Sequence, residues 1–200
     1  MALKTTALEN RPWGALVHLA LFHDVTNSAF LHSQLLAKNP DYEYAFIDAS
    51  SIFSEHQLLS AAYRAINAAA TSALQTPNVH SEVILSLSPN NNIADAYRRW
   101  GISPRTKSLI VLKIIFHDSP SVPGPQPSAA EVWSTISQLV SGTPVDPFSD
   151  AAVRKETNWA AVRKYYKLNG VAALQNIADD AARQCQMERL ALMGMALRGL

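Results

Sequence analysis

Four stretches of this sequence have the apolar patterns expected of β-strands. Residues 15–22 are apolar at almost every position, which is typical of a strand covered on both faces. Apolar and polar positions alternate over residues 83–87, and Pro89 is expected to end that strand because proline donates no hydrogen bond to a neighbouring strand. Two further strands are predicted at residues 44–47 and 107–116.

Apolar residues at helical spacing predict several helices along the chain, and after residue 128 only helices are predicted. A long helix begins at Ser54, whose side chain stands at capping-box spacing from Gln57. Gly101 is expected to end another helix, because glycine tolerates the left-handed conformation common at helix C-termini. The helical regions are predicted at residues 26–39, 54–77, 92–100, 129–140 and 150–166, and from Val171 onward.

The order of these elements predicts an α+β fold formed by a single domain over residues 1–200. We expect a small sheet, mainly antiparallel or mixed, that is packed by several helices and followed by a long C-terminal helix. Residues 119–127 contain four prolines and one glycine, so they are expected to form an exposed loop.

Composition and charge narrow the class of protein. Hydrophobic residues make up 48% of the chain and charged residues 16%, which excludes a largely disordered protein and indicates apolar surface that needs a partner. The net charge of +1 gives little overall attraction to nucleic acid or to a membrane, so such contacts are expected to be local. The sequence shows no membrane span and no signal-peptide core. The expected location is the cytosol or the nucleus.

Candidates for catalysis are few. His23-Asp24 and His117-Asp118 each follow a predicted strand, where α/β proteins often place reactive groups. A small hydrolase or transferase that uses His23 or His117 is therefore an alternative, but no nucleophile accompanies either pair. Cys185 is the only cysteine, and we interpret it as a packing residue. We expect no enzyme activity, no cofactor and no metal site.

Three consecutive asparagines, Asn90, Asn91 and Asn92, stand between the strand predicted at residues 83–87 and the next helix. Asparagine readily occupies turn and capping conformations, in which its amide bonds to nearby backbone. Two interpretations stay open at this point: a compound turn with an N-cap at Asn92, or recognition of a ligand. Either interpretation predicts a rigid corner.

Residues 88–93 (Ser-Pro-Asn-Asn-Asn-Ile) and 97–103 (Tyr-Arg-Arg-Trp-Gly-Ile-Ser) resemble the signature of the Cgi/PRPK-binding-protein (TPRKB-like) family. Further similarity follows in the same order across most of the chain, at residues 21–27, 81–84, 109–111 and 162–168. That family supplies the kinase-binding subunit of the EKC/KEOPS complex.

The resemblance implies a non-catalytic subunit that binds and stimulates a small kinase-like ATPase. The complex makes threonylcarbamoyladenosine in tRNAs that read ANN codons, and an ASKHA-fold subunit, an indirect partner here, performs the chemistry. Family members are also linked to telomere maintenance and transcription, which implies the nucleus, telomeric chromatin and the cytoplasm as locations. An archaeal relative grips the CCA end of tRNA, so a tRNA-binding module without a kinase partner is a further alternative.

Basic residues near two of these motifs are candidates for RNA contact. Tyr165, Tyr166 and Trp100 are aromatic side chains close to them in sequence, and aromatic rings of this kind stack on RNA bases. The alternative is a solvated basic face whose aromatic residues belong to the core. The candidate nucleic-acid-binding residues are Arg98, Arg99, Arg163, Lys164 and Lys167.

The C-terminal helix is predicted to bind the kinase, with the helix over residues 54–74 as its neighbour. From Met187 onward the sequence is apolar around nearly the whole helix, whereas a surface helix should have one polar face. Methionine suits a partner surface because it is flexible and polarisable. The alternative is a core helix of the same domain. The candidate partner-binding residues are Met187, Leu190, Met193 and Leu197.

Overall fold

The computed structural model describes residues 2–10, 12–119 and 124–198. The strands are β1 (Lys4–Ala7), β2 (Leu16–His23), β3 (Ala45–Asp48), β4 (Leu109–Ile115) and β5 (Thr143–Pro144). The helices are α1 (Ser28–Leu36), α2 (Glu55–Ala70), α3 (Val79–Leu87), α4 (Ile93–Trp100), α5 (Ala129–Leu139), α6 (Asp150–Glu156), α7 (Trp159–Tyr165), α8 (Ala172–Gln175) and α9 (Asp180–Ala196).

The strands of the described residues form one antiparallel sheet with β2 at its centre. β4 pairs along β2, with Leu16 opposite Ile115 and Phe22 opposite Leu109. β3 pairs with β4, while β1 and β5 pair with β2. The sheet order is β1-β2-β4-β3, with β5 beside β2, so the expected α+β class is confirmed.

Helices cover both faces of the sheet, which explains why β2 is apolar at nearly every position. Side chains of a strand point alternately to its two faces. Val17, Leu19 and Leu21 pack with residues of α2, α3 and α9 in one core cluster. Ala20 and Phe22 pack with residues of α1 and α5 in a second cluster. The strands predicted at residues 15–22, 44–47 and 107–116 are confirmed as β2, β3 and β4 within about two residues at each end.

The strand predicted at residues 83–87 is wrong, because these residues belong to helix α3. Asn78 caps this helix by accepting a hydrogen bond from the Ser81 amide at 2.9 Å. Every residue of α3 except Ser81 is buried, including Glu82 and Ser86. A short apolar run that is buried on all sides does not distinguish a helix from a strand by its spacing. Glu82 and Ser86 are polar residues that stand among apolar ones in α3, and their positions produced the alternation that suggested a strand.

Gly101 follows α4 as predicted, but its expected left-handed conformation is wrong. Its φ and ψ are −73° and 161°, which is extended backbone. A Cβ atom at this position would lie 2.7 Å from the carbonyl oxygen of Tyr97. Glycine is therefore required here by the close approach of the preceding helical turn, and not by a positive φ.

Two helix boundaries differ from the predictions. α2 ends at Ala70 rather than near residues 76–77, and the C-terminal helix begins at Asp180 rather than Val171. Asp179 accepts a hydrogen bond from the Ala182 amide at 2.7 Å and so starts a new helix after the short α8. The long C-terminal helix itself is confirmed. The two-residue strand β5 and the edge strand β1 were not predicted, although the alternating exposure of β1 is a recognisable signal.

Part of the predicted proline-rich loop at residues 119–127 lies outside the described residues. Within the described part, Ser119 is buried, whereas Gly124, Pro125 and Pro127 are exposed. No helix among the described residues is long and apolar enough to cross a membrane.

Candidate partner-binding site

Helix α9 has one face in the core and another at the surface. Met187, Ala191 and Met195 are at most 4% exposed and pack in the larger core cluster. Met193 and Leu197 are each 56% exposed, and Leu190 is partly buried. Met187 therefore lies inside the core and does not belong to an accessible partner surface, in contrast to the prediction. The core interpretation therefore applies to the face of Met187, Ala191 and Met195, and the partner interpretation stays a prediction for the exposed face.

A groove separates α2 from the end of α9, and it is called the α2–α9 groove below. Its volume is about 400 Å³. The half-buried Arg64 of α2 joins the two helices, donating from Nη1 to the Met195 carbonyl at 3.0 Å and from Nη2 to the Arg198 carbonyl at 2.9 Å. The groove is lined by His56, Ser60, Arg64, Ser86, Leu192, Met193, Met195 and Ala196.

The polar groups of the α2–α9 groove are basic or neutral. Ser86 is 1% exposed, and its hydroxyl has no hydrogen-bond partner among the described residues. Arg198 is buried below the groove, where its Nη1 donates to the Leu85 carbonyl. Burial lowers the pKa of Arg198, and the nearby charge of Arg64 lowers it further. No local pattern in the sequence indicates Arg64 or Ser86, because their positions depend on how α2, α3 and α9 pack together.

The three asparagines have separable structural roles. The side chain of Asn92 accepts a hydrogen bond from the Asp95 amide at 3.0 Å and caps α4, as predicted. Asn90 accepts from the Asn92 amide at 2.9 Å and donates to the Asp95 carboxylate at 3.3 Å. Asn91 is exposed and makes no such bond in the described part of the chain. The turn interpretation therefore accounts for Asn90 and Asn92, whereas Asn91 stays open to a ligand.

The predicted RNA-contact residues fall into two groups. Arg98 and Arg99 are both paired with Asp95, and the Arg99 guanidinium also donates to the Tyr165 carbonyl at 3.1 Å and lies over the Tyr165 ring. These bonds join α4 to α7. Burial alone would raise the pKa of the Asp95 carboxyl, but hydrogen bonds from Arg98, Asn90 and Arg99 and the charge of Arg99 hold it below its ordinary value.

Arg163, Lys164 and Lys167 form the second group, and they have no ion-pair partner among the described residues. Lys164 and Lys167 are exposed, while Arg163 is partly buried. The expected stacking role of Trp100 and Tyr166 is wrong, because these rings are 0% and 7% exposed and pack within the core. Trp100 and Tyr166 thus lie in the core, whereas the partly buried Tyr165 lies under the Arg99 guanidinium.

The histidines considered for catalysis do not adjoin a nucleophile. Nδ1 of His23 lies 3.4 Å from the Glu156 carboxylate, whose other oxygen accepts a hydrogen bond from Ser108. Because Ser108 donates to the carboxylate and not to the imidazole, the histidine is not placed to activate it. His117 is exposed. Cys185 is exposed too, so its interpretation as a packing residue is wrong. Within the described ranges no group of three His, Cys, Asp or Glu side chains could hold a metal ion.

A second cavity, of about 440 Å³, lies between α1 and the start of α3. Apolar and tyrosine side chains form most of its wall, which suits an apolar ligand. Burial raises the pKa of Tyr44 and of Tyr97 here. Sequence patterns did not indicate this cavity. It is lined by His32, Leu35, Leu36, Lys38, Asn39, Pro40, Tyr42, Glu43, Tyr44, Pro77, Asn78, Ser81, Tyr97 and Ile102.

Beside the second cavity, His80 is buried between the sheet and α3. Its Nε2 accepts a hydrogen bond from the Ile114 amide at 3.1 Å, so the neutral ring carries its proton on Nδ1. Burial lowers the pKa of His80 to about 4, although Glu43 opposes the shift. The Glu43 carboxylate lies 3.6 Å from Nδ1, and this His80 ring is the main cause of a lowered pKa at Glu43.

Residues 22–199 match the family described as kinase binding protein CGI-121. The chain belongs to this family. The match includes the α2–α9 groove, the asparagine turn and the basic residues of α7. The family resemblance indicated by residues 88–103 is therefore confirmed.

CGI-121 relatives resemble this chain over their full length. A protein of Neurospora crassa is 45% identical over 100% of both chains, and one of Gibberella zeae is 48% identical over 100% of both. A third, from Aspergillus fumigatus, is 42% identical over 100% of this chain and 98% of its own. All three relatives are named as CGI121 subunits of the EKC/KEOPS complex.

Proposed function

We propose that this CGI-121 protein is a non-catalytic subunit of an EKC/KEOPS complex and that it holds the kinase subunit in the α2–α9 groove. The names of its full-length relatives support membership in that complex. The observation that carries the assignment of the surface is the exposure of Met193 beside the groove.

The physical reason is that a long apolar side chain at a groove is stabilised when a partner covers it. Met193 and Leu197 lie on the outer face of α9, while the opposite face anchors the helix in the core. A helix fixed in this way presents apolar groups at low entropic cost. Methionine also adjusts its shape to a partner surface.

Within the complex, this subunit binds and stimulates the small kinase-like ATPase. The ASKHA-fold subunit performs the transfer chemistry that forms threonylcarbamoyladenosine in tRNAs that read ANN codons. The pairing of His23 with Glu156 rather than with a nucleophile supports a non-catalytic role for this chain.

The test is to mix the purified protein with the kinase subunit of the same organism and to measure binding by titration calorimetry and ATP hydrolysis by phosphate release. We expect a defined complex and faster hydrolysis by the kinase. A kinase that neither binds nor changes its rate would contradict the proposal. Binding without a change in rate would support the docking role and contradict stimulation.

A second candidate function is a local contact with tRNA through Arg163, Lys164 and Lys167. The observation that favours it is that these cations are not neutralised by carboxylates of the described residues, unlike Arg98 and Arg99. Titration of tRNA with and without its CCA end tests this contact. Equal binding of both, or no binding, would contradict recognition of the CCA end.

A further inference from the structure

A small polar cavity lies between α7, α8 and α9, and it is called the α7–α9 cavity below. Its volume is about 240 Å³, which is below the range of roughly 300–1,000 Å³ typical of drug-sized ligands. A cavity of this size suits one small chemical group rather than a whole nucleotide. It is lined by Arg163, Gly170, Val171, Leu174, Gln175 and Arg183.

Arg163 has a donor that nothing in the described chain satisfies. Its Nε atom is buried and has no hydrogen-bond partner among the described residues, and its guanidinium forms no ion pair with them. Arginine stays protonated in proteins, so this is a buried donor on a permanent cation. Leaving such a donor unmade destabilises the fold, and a cation that no carboxylate of the described residues neutralises favours an anion in the cavity that Arg163 lines.

The second arginine of the cavity plays a different part, because its donors are already used. Arg183 donates from Nε to the Ile177 carbonyl at 3.1 Å and from Nη1 to Asp180 at 2.7 Å. These bonds fix the guanidinium at the wall of the cavity. Arg183 therefore forms a fixed part of the cavity wall with its charge paired to Asp180, while Arg163 is a cation that no carboxylate of the described residues neutralises.

The local charge favours an anion with more than one negative charge. Residues 159–183 contain four basic residues and two acidic ones, a surplus of +2 in a chain whose net charge is +1. One of those acidic residues, Asp180, is paired with Arg183, and its side chain is 83% exposed. A planar guanidinium binds phosphate oxygens through two parallel N–H donors.

We propose that the α7–α9 cavity binds a phosphate group and that the Arg163 guanidinium is its main contact. The Arg183 guanidinium and the Gln175 amide line the same cavity. The site goes beyond kinase binding and is separate from the α2–α9 groove. The phosphate belongs either to an RNA backbone or to a free phosphate compound, since the recognition chemistry is the same. In the RNA case the site rests on the tRNA contact proposed above.

The first arm of the test titrates inorganic phosphate into the full-length protein in a phosphate-free buffer at constant ionic strength, followed by NMR chemical shifts of α7 and α9. We expect saturable shifts around the cavity. In Arg163→Gln the affinity for phosphate should fall at least about tenfold, because a charge-assisted bidentate contact with the guanidinium is lost. Arg189→Gln is the control, since Arg189 is an exposed, unpaired arginine on the outer part of α9.

The second arm titrates a short single-stranded RNA into the same three proteins. Loss of RNA binding in Arg163→Gln alone supports an RNA phosphate in the cavity. Binding of inorganic phosphate without RNA binding supports a free phosphate compound and contradicts the tRNA contact. RNA binding that is unchanged in Arg163→Gln, with no binding of phosphate, overturns the cavity proposal and leaves the tRNA contact standing.

Folding of the variants is checked by thermal melting without ligand. We expect Arg163→Gln to melt at or above the temperature of the wild type, because it removes an unsatisfied donor and breaks no bond within the described chain. If that variant does not fold, Arg163→Lys replaces it. Lysine keeps the positive charge but lacks the two parallel N–H donors of the guanidinium. Phosphate affinity that is unchanged in Arg163→Lys would contradict bidentate binding of the phosphate by the Arg163 guanidinium.

Discussion

Arg64 of α2 donates a hydrogen bond from Nη1 to the carbonyl oxygen of Met195, 131 residues later in the chain, at 3.0 Å. The second bond of the same guanidinium, to the Arg198 carbonyl, lies one turn further on. Carbonyl groups at a helix C-terminus lack partners within their own helix, and a cation there also complements the helix dipole. This contact fixes the end of α9 against α2 and so shapes the α2–α9 groove.

We predict that Arg64→Ala lowers the free energy of unfolding by about 1–3 kcal/mol, because two charge-assisted hydrogen bonds to α9 are lost. Urea unfolding monitored by circular dichroism measures the change. Arg189→Ala is the matched control, since this exposed arginine makes no such bonds. Equal stability of Arg64→Ala and the control would show that Arg64 does not secure the end of α9.

We predict that Met193→Arg keeps the fold and lowers kinase affinity at least about tenfold, because the added charge would be desolvated only in the complex. Met193 is 56% exposed in the chain alone, so arginine fits there without burial. Leu36→Arg on α1 is the control, since Leu36 is 71% exposed and lies away from the groove. Calorimetry with the kinase subunit measures both. If Leu36→Arg alone abolishes binding, the kinase docks on α1 instead.

Leu190 gives a second test of the same surface, with a different expected result. It is partly buried and packs against the larger core cluster. We therefore expect Leu190→Arg to lower stability by roughly 1–3 kcal/mol as well as to weaken kinase binding. Thermal melting before calorimetry separates the two effects. A variant with unchanged melting and unchanged affinity would remove Leu190 from the proposed surface.

The asparagine turn predicts a loss of stability for two of three adjacent alanine variants and almost none for the third. Asn92→Ala should lower the free energy of unfolding by about 1 kcal/mol, because the cap of α4 is lost. Asn90→Ala should have an effect of similar size, since it removes bonds to Asn92 and Asp95. Asn91→Ala should change stability by less than about 0.5 kcal/mol. An equal loss in all three variants of a urea-unfolding series would contradict these separate roles.

His80 predicts a pH dependence of stability. Its pKa is lowered to about 4 in the folded protein, against an ordinary value of 6.5. Between these values the unfolded chain binds a proton that the folded chain does not, so stability falls as the pH falls from 6.5 toward 4. The contribution is at most about 1.4 kcal/mol per pH unit. Above pH 6.5 both states are neutral and His80 adds no slope.

Comparison with His80→Gln isolates this contribution, because glutamine can still accept the hydrogen bond from the Ile114 amide. Urea unfolding at several pH values from about 5 to about 7 should give a smaller slope for the variant than for the wild type. Glu43 stays ionised over that range, since its pKa is lowered below the ordinary value. Identical slopes in the two proteins would mean that folding does not lower the pKa of His80.

The isolated protein is expected to show no turnover in a broad hydrolase and ATPase screen. His23 contacts Glu156 at 3.4 Å, and the hydroxyl of Ser108 is bonded to that same carboxylate. Activity that persists through purification and disappears in His23→Ala or His117→Ala would establish the enzymatic alternative. Activity that persists in both variants would point to a contaminant.

The sequence by itself determined the strands β2, β3 and β4, the cap of α4 and the family. These features depend on local chemistry: β-strands buried on both faces are apolar throughout, and an asparagine cap bonds to a backbone amide three residues away. The motif at residues 88–103 is likewise contiguous in the chain, so the sequence alone was enough to anticipate the CGI-121 match.

Only the tertiary structure decided the nature of α3 and the functional surfaces. α3 is buried on nearly all sides, so its sequence lacks the polar face that would distinguish it from a strand. Met187 and Met193 are the same residue type on the same helix, yet packing buries Met187 and leaves Met193 exposed. The α2–α9 groove and the α7–α9 cavity arise where helices far apart in the chain meet, and no local pattern records which side chains face each other there.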